Sequence, residues 1–579
     1  MSVRNNLLLS RINIALLAAV ACLASALAWL GSDAHSNQYI PSSVDLVTAT
    51  AEDLSSYLQD RVFTSVQLVN EYLRRIELDN VRGRTLHAIL RTTPKHVLLQ
   101  IAQNRDEERT ANATLGPLHG LPVVVKDNMC TGPELGMPTT FGAYAFENAT
   151  ALEDATLVAR AQWAGLIVIG KANLAELNGF KGDSLNPGWS KLGGISTSPY
   201  DGRHPCGSSG GSAVSVAAGF GPIAFGSETQ GSISCPASFT ATYGLKVSGG
   251  LVSRYGILPS TSSFDSPGIF AKSSWGIASV LSAISGFDAK DPLTVAAKPY
   301  EGSNYTRNFG STWKDWRIGI ADREYFWTDY GAEDASEEQK MYEHALDTVE
   351  KMRKMGAFIE PNCAFGLDRT SLQKAPNAMA KCINHEMKLE FGRFFPQMYN
   401  TSVRDLGSLV RFNRENPDLA FSKGTNPYMV FKHRLIHSEN HGQEFLERAL
   451  EQDLSDETYR DLLNLTHAWG VEQGVDYALE NCKVDALVLP AWTDMSIFAA
   501  WSRAPTATVP LGIYGYGKPY GLGFVAKRFD DEKLVRIMDL YERTLDPKMV
   551  PRKIRWKRYH RFVPSSLSSL SEFKLVDRD

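Results

Sequence analysis

Two glycine- and serine-rich clusters constrain this chain more than any other feature of its sequence. The first spans residues 207–212 (GSSGGS) and the second spans 226–236 (GSETQGSISCP), with a helix-like segment of small residues between them. Glycine permits backbone conformations that other residues resist, and it lets a bound molecule approach the main chain closely. Consecutive backbone N–H groups in such a turn can converge on a developing oxyanion. The clusters therefore predict a serine nucleophile beside an anion-binding turn.

An apolar segment upstream of the clusters ends in a lysine. The run Val123–Val125 is continuous and β-branched, which is typical of a strand covered on both faces, and Lys126 follows it directly. A serine hydroxyl needs a base to take its proton, and lysine is a base only when neutral, a form that burial favours. We expect Lys126 to lie at the rim of the core. The next side chain, Asp127, should point to the opposite side.

These motifs resemble those of the amidase signature family, whose members use a Ser-cisSer-Lys triad. The stretch 120–127 (GLPVVVKD) is similar to the family's lysine motif, and the two clusters are similar to its two serine motifs. The resemblance implies that Lys126 is the base, Ser208 the bridging serine that follows a cis peptide bond, and Ser232 the nucleophile. The spacing between the two serines also equals that of the family.

The resemblance implies a mechanism as well. Neutral Lys126 draws a proton through Ser208 while Ser232 attacks the amide carbonyl, an acyl-enzyme forms, and water then hydrolyses the ester. We expect an amidase that releases ammonia or an amine from a small-molecule amide, with no cofactor and no metal, since the cysteines and histidines lack metal-site spacing. The expected oxyanion donors are the backbone N–H groups of Thr229, Gln230, Gly231 and Ser232.

Three positions depart from the pattern of the family. Many members have aspartate where this chain has Glu228, and glycine where it has Gln230. Because the oxyanion donors there are main-chain groups, these side-chain changes need not remove them. The arginine commonly found two residues after the nucleophile is Ser234 here. An arginine near this point could clamp a carboxylate, so its absence argues against a small acidic amide as substrate.

The resemblance implies an α/β fold in which a large, twisted, mostly mixed central β-sheet is covered by α-helices on both faces. The similarity is good from about residue 50 to 290 and again from 470 to 545. We expect a single amidase domain over residues 45–560, with a divergent insertion at about 300–466 and a C-terminal tail at 561–579. The insertion either shapes the substrate entrance or is structural padding.

The amino terminus has the layout of a secretory signal. Arg4 and Arg11 precede an apolar stretch from Ile14 to Leu30, and small polar residues follow. A signal core usually has about 7–15 apolar residues and a spanning helix about 20, and this run lies between the two. Residues 1–31 are therefore predicted to be a signal peptide or a membrane anchor. Either would place the amidase domain on the lumenal or extracellular side, secreted or tethered.

Cysteines and sequons fit that location. Beyond the apolar stretch, six cysteines form an even set that could pair in an oxidising lumen, although buried free thiols are the alternative. Two of them, Cys206 and Cys235, flank the catalytic clusters, so a pair there is conceivable. Five Asn-X-Ser/Thr sequons are compatible with glycosylation, and they lie at Asn112, Asn148, Asn304, Asn400 and Asn464.

Composition and the remaining motifs limit the alternatives. The 60 Lys and Arg residues against 64 Asp and Glu give a net charge of −4, which argues against a nucleic-acid partner. Two alternatives stay open. One is a transamidating subunit that uses released ammonia on a charged transfer RNA, and the other is a catalytically silent binding protein of the same fold. We expect His119 to be a structural loop residue. The sequence leaves the amide and the oligomeric state open.

Overall fold

A computed structural model of the protein describes residues 39–183, 185–322, 335–367, 369–421, 430–431, 434–435, 442–491, 493, 495–515 and 517–551. Its strands are β1 (Ile89–Thr92), β2 (Pro122–Lys126), β3 (Ile167–Ala172), β4 (Trp189–Ser190), β5 (Gly194–Ile195), β6 (Ile223–Glu228), β7 (Tyr243–Lys246), β8 (Ser266–Ala271), β9 (Arg317–Ala321), β10 (Phe358–Cys363), β11 (Val430–Phe431), β12 (Arg434–Leu435), β13 (Ala486–Pro490), β14 (Thr506–Tyr514) and β15 (Lys518–Val525).

The α-helices of the described residues lie between and beside these strands in the chain. They are α1 (Ala51–Gln59), α2 (Ser65–Asp79), α3 (Lys95–Thr110), α4 (Thr156–Trp163), α5 (Gly210–Ala217), α6 (Ser234–Thr240), α7 (Ser274–Ile284), α8 (Ala335–Lys354), α9 (Arg369–Phe394), α10 (Leu406–Glu415), α11 (Pro417–Ala420), α12 (Glu444–Glu451), α13 (Asp456–Gly470), α14 (Val475–Cys482), α15 (Met495–Trp501) and α16 (Asp531–Thr544).

One mixed sheet of eleven strands organises the chain, in the order β1-β3-β2-β6-β8-β7-β14-β15-β13-β9-β10. Every residue of β2, β3, β6 and β8 is buried. Because side chains alternate between the two faces of a strand, burial at every position requires cover on both faces. The predicted α/β fold with a large mixed sheet is therefore confirmed.

The parallel part of the sheet determines where the predicted site lies. Strand β2 pairs in parallel with β3 on one side and with β6 on the other. The carboxyl ends of parallel strands meet at the same edge of a sheet. Since β2 ends at Lys126 and β6 ends at Glu228, the lysine and the second glycine-serine cluster meet at that edge.

The first cluster reaches the same edge through α5, which packs against β2, β6 and α6. The Ser212 hydroxyl donates a hydrogen bond of 2.8 Å to the Phe225 carbonyl in β6. A Cβ atom on Gly211 would lie 2.3 Å from the carbonyl oxygen of Asn173. The glycines of the cluster are therefore needed for the close approach of this helix to the sheet.

The predicted insertion contributes strands as well as helices. Within it, β9 pairs in parallel with β13 and with β10, so the segment extends the central sheet. Helix α9 packs against α12 and α13. The segment at about 300–466 thus contributes strands to the central sheet and helices that pack outside it. Our domain boundaries stay a prediction.

Both predicted terminal segments fall where the structure gives no description. Residues 1–31 and the tail at 561–579 lie outside the described residues. Among the helices of the described part, none has the length and apolarity needed to cross a bilayer. The anchor or signal therefore stays a prediction from the sequence.

Four of the cysteines form two disulfides. Cys206 pairs with Cys235, and Cys363 pairs with Cys482, each with a Cα–Cα distance of 5.9 Å. Cys130 is free and buried, and so is Cys382. Pairing and buried free thiols, which the sequence left as alternatives, both occur. The first disulfide joins the two glycine-serine clusters.

Candidate active site

Lys126 is completely buried at the carboxyl end of β2, and its amine meets the first cluster. The Nζ atom lies 2.7 Å from the Ser208 hydroxyl. It also lies 3.0 Å from the Ser227 hydroxyl and 3.3 Å from the Ser227 carbonyl. Burial lowers the pKa of this amine to about 7, although the carboxylates of Asp265 and Glu228 act in the opposite direction. Lys126 can therefore be neutral at physiological pH.

The segment that carries Ser208 is held tightly against the protein. The Gly207–Ser208 peptide bond is cis, as the resemblance implied. A Cβ atom on Gly207 would lie 1.8 Å from the carbonyl oxygen of Pro187, so only glycine fits there. The Ser208 carbonyl accepts a 3.0 Å hydrogen bond from the Ala175 N–H. These contacts fix the serine that faces Lys126.

The second cluster forms a short loop, residues 229–233, between β6 and α6; we call it the nucleophile loop. Gly231 has φ +77°, a conformation that favours glycine. One carboxylate oxygen of Glu228 accepts hydrogen bonds from the N–H groups of Ile233 (2.6 Å) and Ser234 (3.1 Å), and from the Ser234 hydroxyl. Glu228 therefore fixes the loop immediately after Ser232. Both the N–H group and the hydroxyl of Ser234 are hydrogen-bonded to Glu228.

The backbone donors of the nucleophile loop are free for a ligand. No described residue accepts a hydrogen bond from the backbone N–H groups of residues 229–232. Thr229, Gly231 and Ser232 are buried, whereas Gln230 is exposed. Because buried backbone N–H groups are nearly always paired, the unpaired N–H groups of the three buried residues indicate a binding function. This is the arrangement expected of an oxyanion hole.

The structure does not bring all three predicted triad residues into hydrogen-bond contact. Lys126 and Ser208 meet directly, whereas the Ser232 hydroxyl makes no hydrogen bond to any described residue. Helix α6, which directly follows its loop, is joined to the Ser208 segment through the Cys206–Cys235 disulfide. The assignment of Ser232 as nucleophile stays a prediction. A hydroxyl without a protein partner is the state in which a nucleophile can face a substrate.

Sequence reasoning missed a polar network behind the lysine. Asn128 donates to the Ser227 hydroxyl (2.8 Å) and to the Asn178 side-chain oxygen (3.0 Å). Asn178 in turn donates to the Ser260 hydroxyl (3.1 Å). Asn128 stands two residues after Lys126, in the turn that follows β2. That spacing was the signal that could have identified it.

Asp265 is the second residue that the sequence reasoning passed over. Its carboxylate is partly buried and accepts hydrogen bonds from the Thr229 hydroxyl (2.5 Å) and from the N–H groups of Ser260 (2.7 Å) and Thr261 (2.9 Å). Burial raises the pKa of this carboxyl to about 6, although the hydrogen bonds oppose the shift. Asp265 thus connects the chain entering β8 to the first residue of the nucleophile loop.

Asp127 and His119 behave as the sequence predicts. Asp127 accepts hydrogen bonds from the backbone and hydroxyl of Thr140, and it lies 3.5 Å from the buried amine of Lys171. It therefore faces away from Lys126. His119 contacts the Arg105 carbonyl through Nε2 at 2.8 Å, which is the contact of a structural residue. Within the described residues, no group of three or more metal-binding side chains could hold an ion.

A cavity of about 440 Å³ adjoins the network. Ser227 and Asp265 form part of its wall, and helix α9 of the predicted insertion contributes Glu390, Arg393 and Phe394. Arg254 also lines it, but this guanidinium is paired with Asp291 at 2.9 Å. The cavity thus combines residues next to Lys126 with residues of the insertion.

Comparison with known proteins identifies the family of the chain. Residues 67–535 match the model of the Amidase family. A Schizosaccharomyces pombe protein with the provisional name of an amidase is 28% identical over 90% of each chain. A glutamyl-tRNA(Gln) amidotransferase subunit of Chloroflexus aurantiacus is 30% identical, over 83% of this chain and 93% of its own.

A solved structure is similar over nearly the same span. The native peptide amidase of Stenotrophomonas maltophilia is 30% identical, with a TM-score of 0.75 over 87% of this chain and 98% of the other. The family model covers most of the chain. The protein therefore belongs to the Amidase family, the amidase signature hydrolases that act on carbon–nitrogen bonds, and the resemblance drawn from the motifs is confirmed.

Proposed function

We propose that the protein hydrolyses the C–N bond of a linear carboxylic amide, with Ser232 as nucleophile, and releases ammonia or an amine. The observation that carries the proposal is the contact of 2.7 Å between the buried Lys126 amine and the Ser208 hydroxyl. A buried lysine with a lowered pKa, aimed at a serine in a glycine-rich loop, serves proton transfer.

The contacts of Lys126 fit the neutral amine. A neutral amine has two N–H donors and one lone pair. The carbonyl and hydroxyl of Ser227 can take the two donors. The lone pair then points to Ser208 and accepts its proton, while Ser208 takes the proton of Ser232. Ser232 attacks the carbonyl carbon as it loses that proton.

The nucleophile loop completes the step. The unpaired N–H groups of residues 229–232 stabilise the negative charge on the attacked oxygen, which is usually the largest electrostatic contribution to acyl transfer. The tetrahedral intermediate collapses, the leaving nitrogen takes the relayed proton, and an ester of Ser232 remains. Water attacks that ester by the same relay, which restores the free serine and releases the carboxylic acid.

The side chain at position 234 and a similar solved structure suggest which amides to test first. Ser234 donates to Glu228 and stands where many relatives have arginine, so no cation at this position binds a substrate carboxylate. The similar Stenotrophomonas maltophilia enzyme is a peptide amidase. We therefore place C-terminally amidated peptides first, ahead of fatty, aryl and small aliphatic amides.

We also propose that the insertion shapes the substrate entrance, because α9 lines the cavity beside Ser227 and Asp265. Chimeras that exchange residues 300–466 with those of a relative should change the preference among these four amide classes. An unchanged preference would leave the insertion with a structural role only.

The experiment that tests the function is a turnover screen. Purified protein is incubated with amides of the four classes, and released ammonia or amine is quantified, with Ser232→Ala as the blank. We expect release above the blank for at least one class. Equal release by both proteins in every class would contradict the proposal.

Two alternatives give different results in related assays. A transamidating subunit, such as the similar protein of Chloroflexus aurantiacus, would require a charged transfer RNA as ammonia acceptor. Ammonia released without any transfer RNA argues against that role. A silent binding protein would retain ligand affinity but show no difference between wild type and Ser232→Ala in any amide class.

We further propose that the protein enters the secretory pathway and is secreted or tethered by its N-terminal segment. The two disulfides support an oxidising compartment, and all five sequon asparagines are exposed, namely Asn112, Asn148, Asn304, Asn400 and Asn464. Expression in a eukaryotic host should give a protein whose mass falls on treatment with an N-glycosidase. A mass that does not change would contradict the proposed location.

A further inference from the structure

The Cys206–Cys235 disulfide spans the two serine clusters. Cys206 stands two residues before Ser208, and Cys235 stands three residues after Ser232. We propose that this disulfide is a positioning element of the active site: it sets the separation of Ser208 from Ser232, so that the rate of acylation depends on it. The inference rests on the proposed amidase function and names two residues that act through the serines.

On the Ser208 side, the disulfide holds a strained backbone. Cys206 has φ +65°, in the left-handed region that residues with a side chain rarely adopt. Such conformations persist only where surrounding structure enforces them. The adjoining Gly207 is pressed against the Pro187 carbonyl. Loss of the cross-link would let Cys206 relax and displace the segment that carries Ser208.

On the other side, the disulfide holds the turn that contains Ser232. The Cys235 N–H donates a 2.9 Å hydrogen bond to the Gly231 carbonyl, which closes this turn at the start of α6. The side chains of both cysteines are buried and pack with Phe239. Movement of Cys235 is therefore transmitted to Ser232 over three residues of ordered chain.

A second connection lies on the opposite side of Ser208. The Ser209 hydroxyl donates to the Ser227 carbonyl (3.0 Å) and accepts from the Ser227 N–H (3.3 Å). Hydrogen bonds thus join the two clusters after Ser208, and the disulfide joins them before it. Ser208 is bracketed by the two connections.

The disulfide matters because no hydrogen bond holds the two serines together. Among the described residues, the Ser232 hydroxyl has no hydrogen-bond partner, so its distance to Ser208 depends on the backbone positions and rotamers of the two residues. Proton transfer requires about 2.6–3.2 Å between heavy atoms, and a misplacement of about 1 Å can lower a rate on the order of 100-fold. Loss of the disulfide should therefore lower kcat more than it raises KM.

The other disulfide supplies a matched control. Cys363 and Cys482 join β10, at the far edge of the sheet, to α14. They are 119 residues apart, against 29 for Cys206 and Cys235. In the loop-entropy account, the longer loop gives the greater stabilisation. Removing it should cost more thermal stability than removing the active-site disulfide and should leave acylation unchanged.

The test compares Cys206→Ala/Cys235→Ala with Cys363→Ala/Cys482→Ala and wild type. A variant Cys206→Gly/Cys235→Ala, in which glycine accepts the positive φ without strain, covers the case in which the alanine pair fails to fold. A fluorophosphonate probe reports the rate of modification of Ser232, a turned-over amide gives kcat and KM, and Tm reports stability. We expect both active-site pairs to slow labelling and kcat about tenfold or more with KM nearly unchanged.

The following results would overturn the positioning role of the disulfide. Labelling of both active-site variants at the wild-type rate would overturn the positioning role, as would alkylation of Cys206 and Cys235 as free thiols in the native protein. An equal loss of kcat in the Cys363/Cys482 control would show a structural effect only. A wild type that neither labels nor turns over any amide removes the proposed function, and the positioning role with it.

Discussion

At the scale of single residues, the proposed catalysis depends on the protonation of one amine. Lys126 is buried at the end of a fully buried strand, and its contacts to Ser208 and Ser227 leave the neutral form well accommodated. The motif predicted this lysine and its burial, because a β-branched run directly indicates a covered strand. It could not predict Ser227 as the second partner of the amine, since that contact depends on strand pairing.

Activity should fall on the acid side of neutrality. The pKa of Lys126 is lowered to about 7 by burial, so the amine is protonated below that pH and can no longer accept a proton. Lys126→Ala should lower kcat/KM by about 10² to 10⁴ and should remove this acid limb. The measurement is kcat/KM from pH 5 to 9 for both proteins. An acid limb that persists in the variant would assign the titration to another group.

Asp265 should shift that limb. Its carboxylate raises the pKa of Lys126, as does Glu228, against the larger effect of burial. Asp265→Asn removes the charge, so the pKa of Lys126 should fall and the acid limb should move to lower pH. Asp291→Asn, which removes a carboxylate paired with Arg254 instead, is the control. A limb that moves upward in Asp265→Asn would contradict this role.

At the scale of elements, two parallel strands create the site. Strands β2 and β6 end at the same edge and deliver the lysine and the nucleophile loop, while α5 brings Ser208 there. The fold class and the three motif segments were predictable because local patterns carry them. The hydrogen bond from Asn128 to Asn178 and the one from the Thr229 hydroxyl to Asp265 were not predictable, because each joins residues far apart in the chain.

A buried lysine with an ion-pair partner connects the core to the insertion. The Lys181 amine contacts the Glu176 carboxylate at 2.6 Å and the carbonyl of Ala420 in α11. Lys181→Met leaves Glu176 buried without its partner, which should cost about 3–5 kcal/mol of stability. Tm in thermal unfolding measures the loss. Arg448→Met breaks an exposed pair with Asp183 and should cost at most about 1 kcal/mol; equal losses in the two variants would show that burial of the pair does not matter.

At the scale of the whole molecule, one sheet carries the catalytic edge and receives strands from the insertion. Strands β9 and β10 extend it, although no motif in the sequence predicted them. The insertion could not be assigned from the sequence, because its surface strand β10 is largely exposed and lacks the apolar run that identifies β2. Its helix α9 nevertheless lines the cavity beside the predicted site.

Covalent labelling asks whether Ser232 is the activated nucleophile, on which the proposed chemistry of the whole protein rests. Wild type, Ser232→Ala and Ser208→Ala are treated with a fluorophosphonate, and the modified peptide is identified by mass spectrometry. We predict one adduct at Ser232 in wild type, slower labelling of the same residue in Ser208→Ala, and none in Ser232→Ala. Folded wild-type protein that is never modified at Ser232 would contradict this assignment.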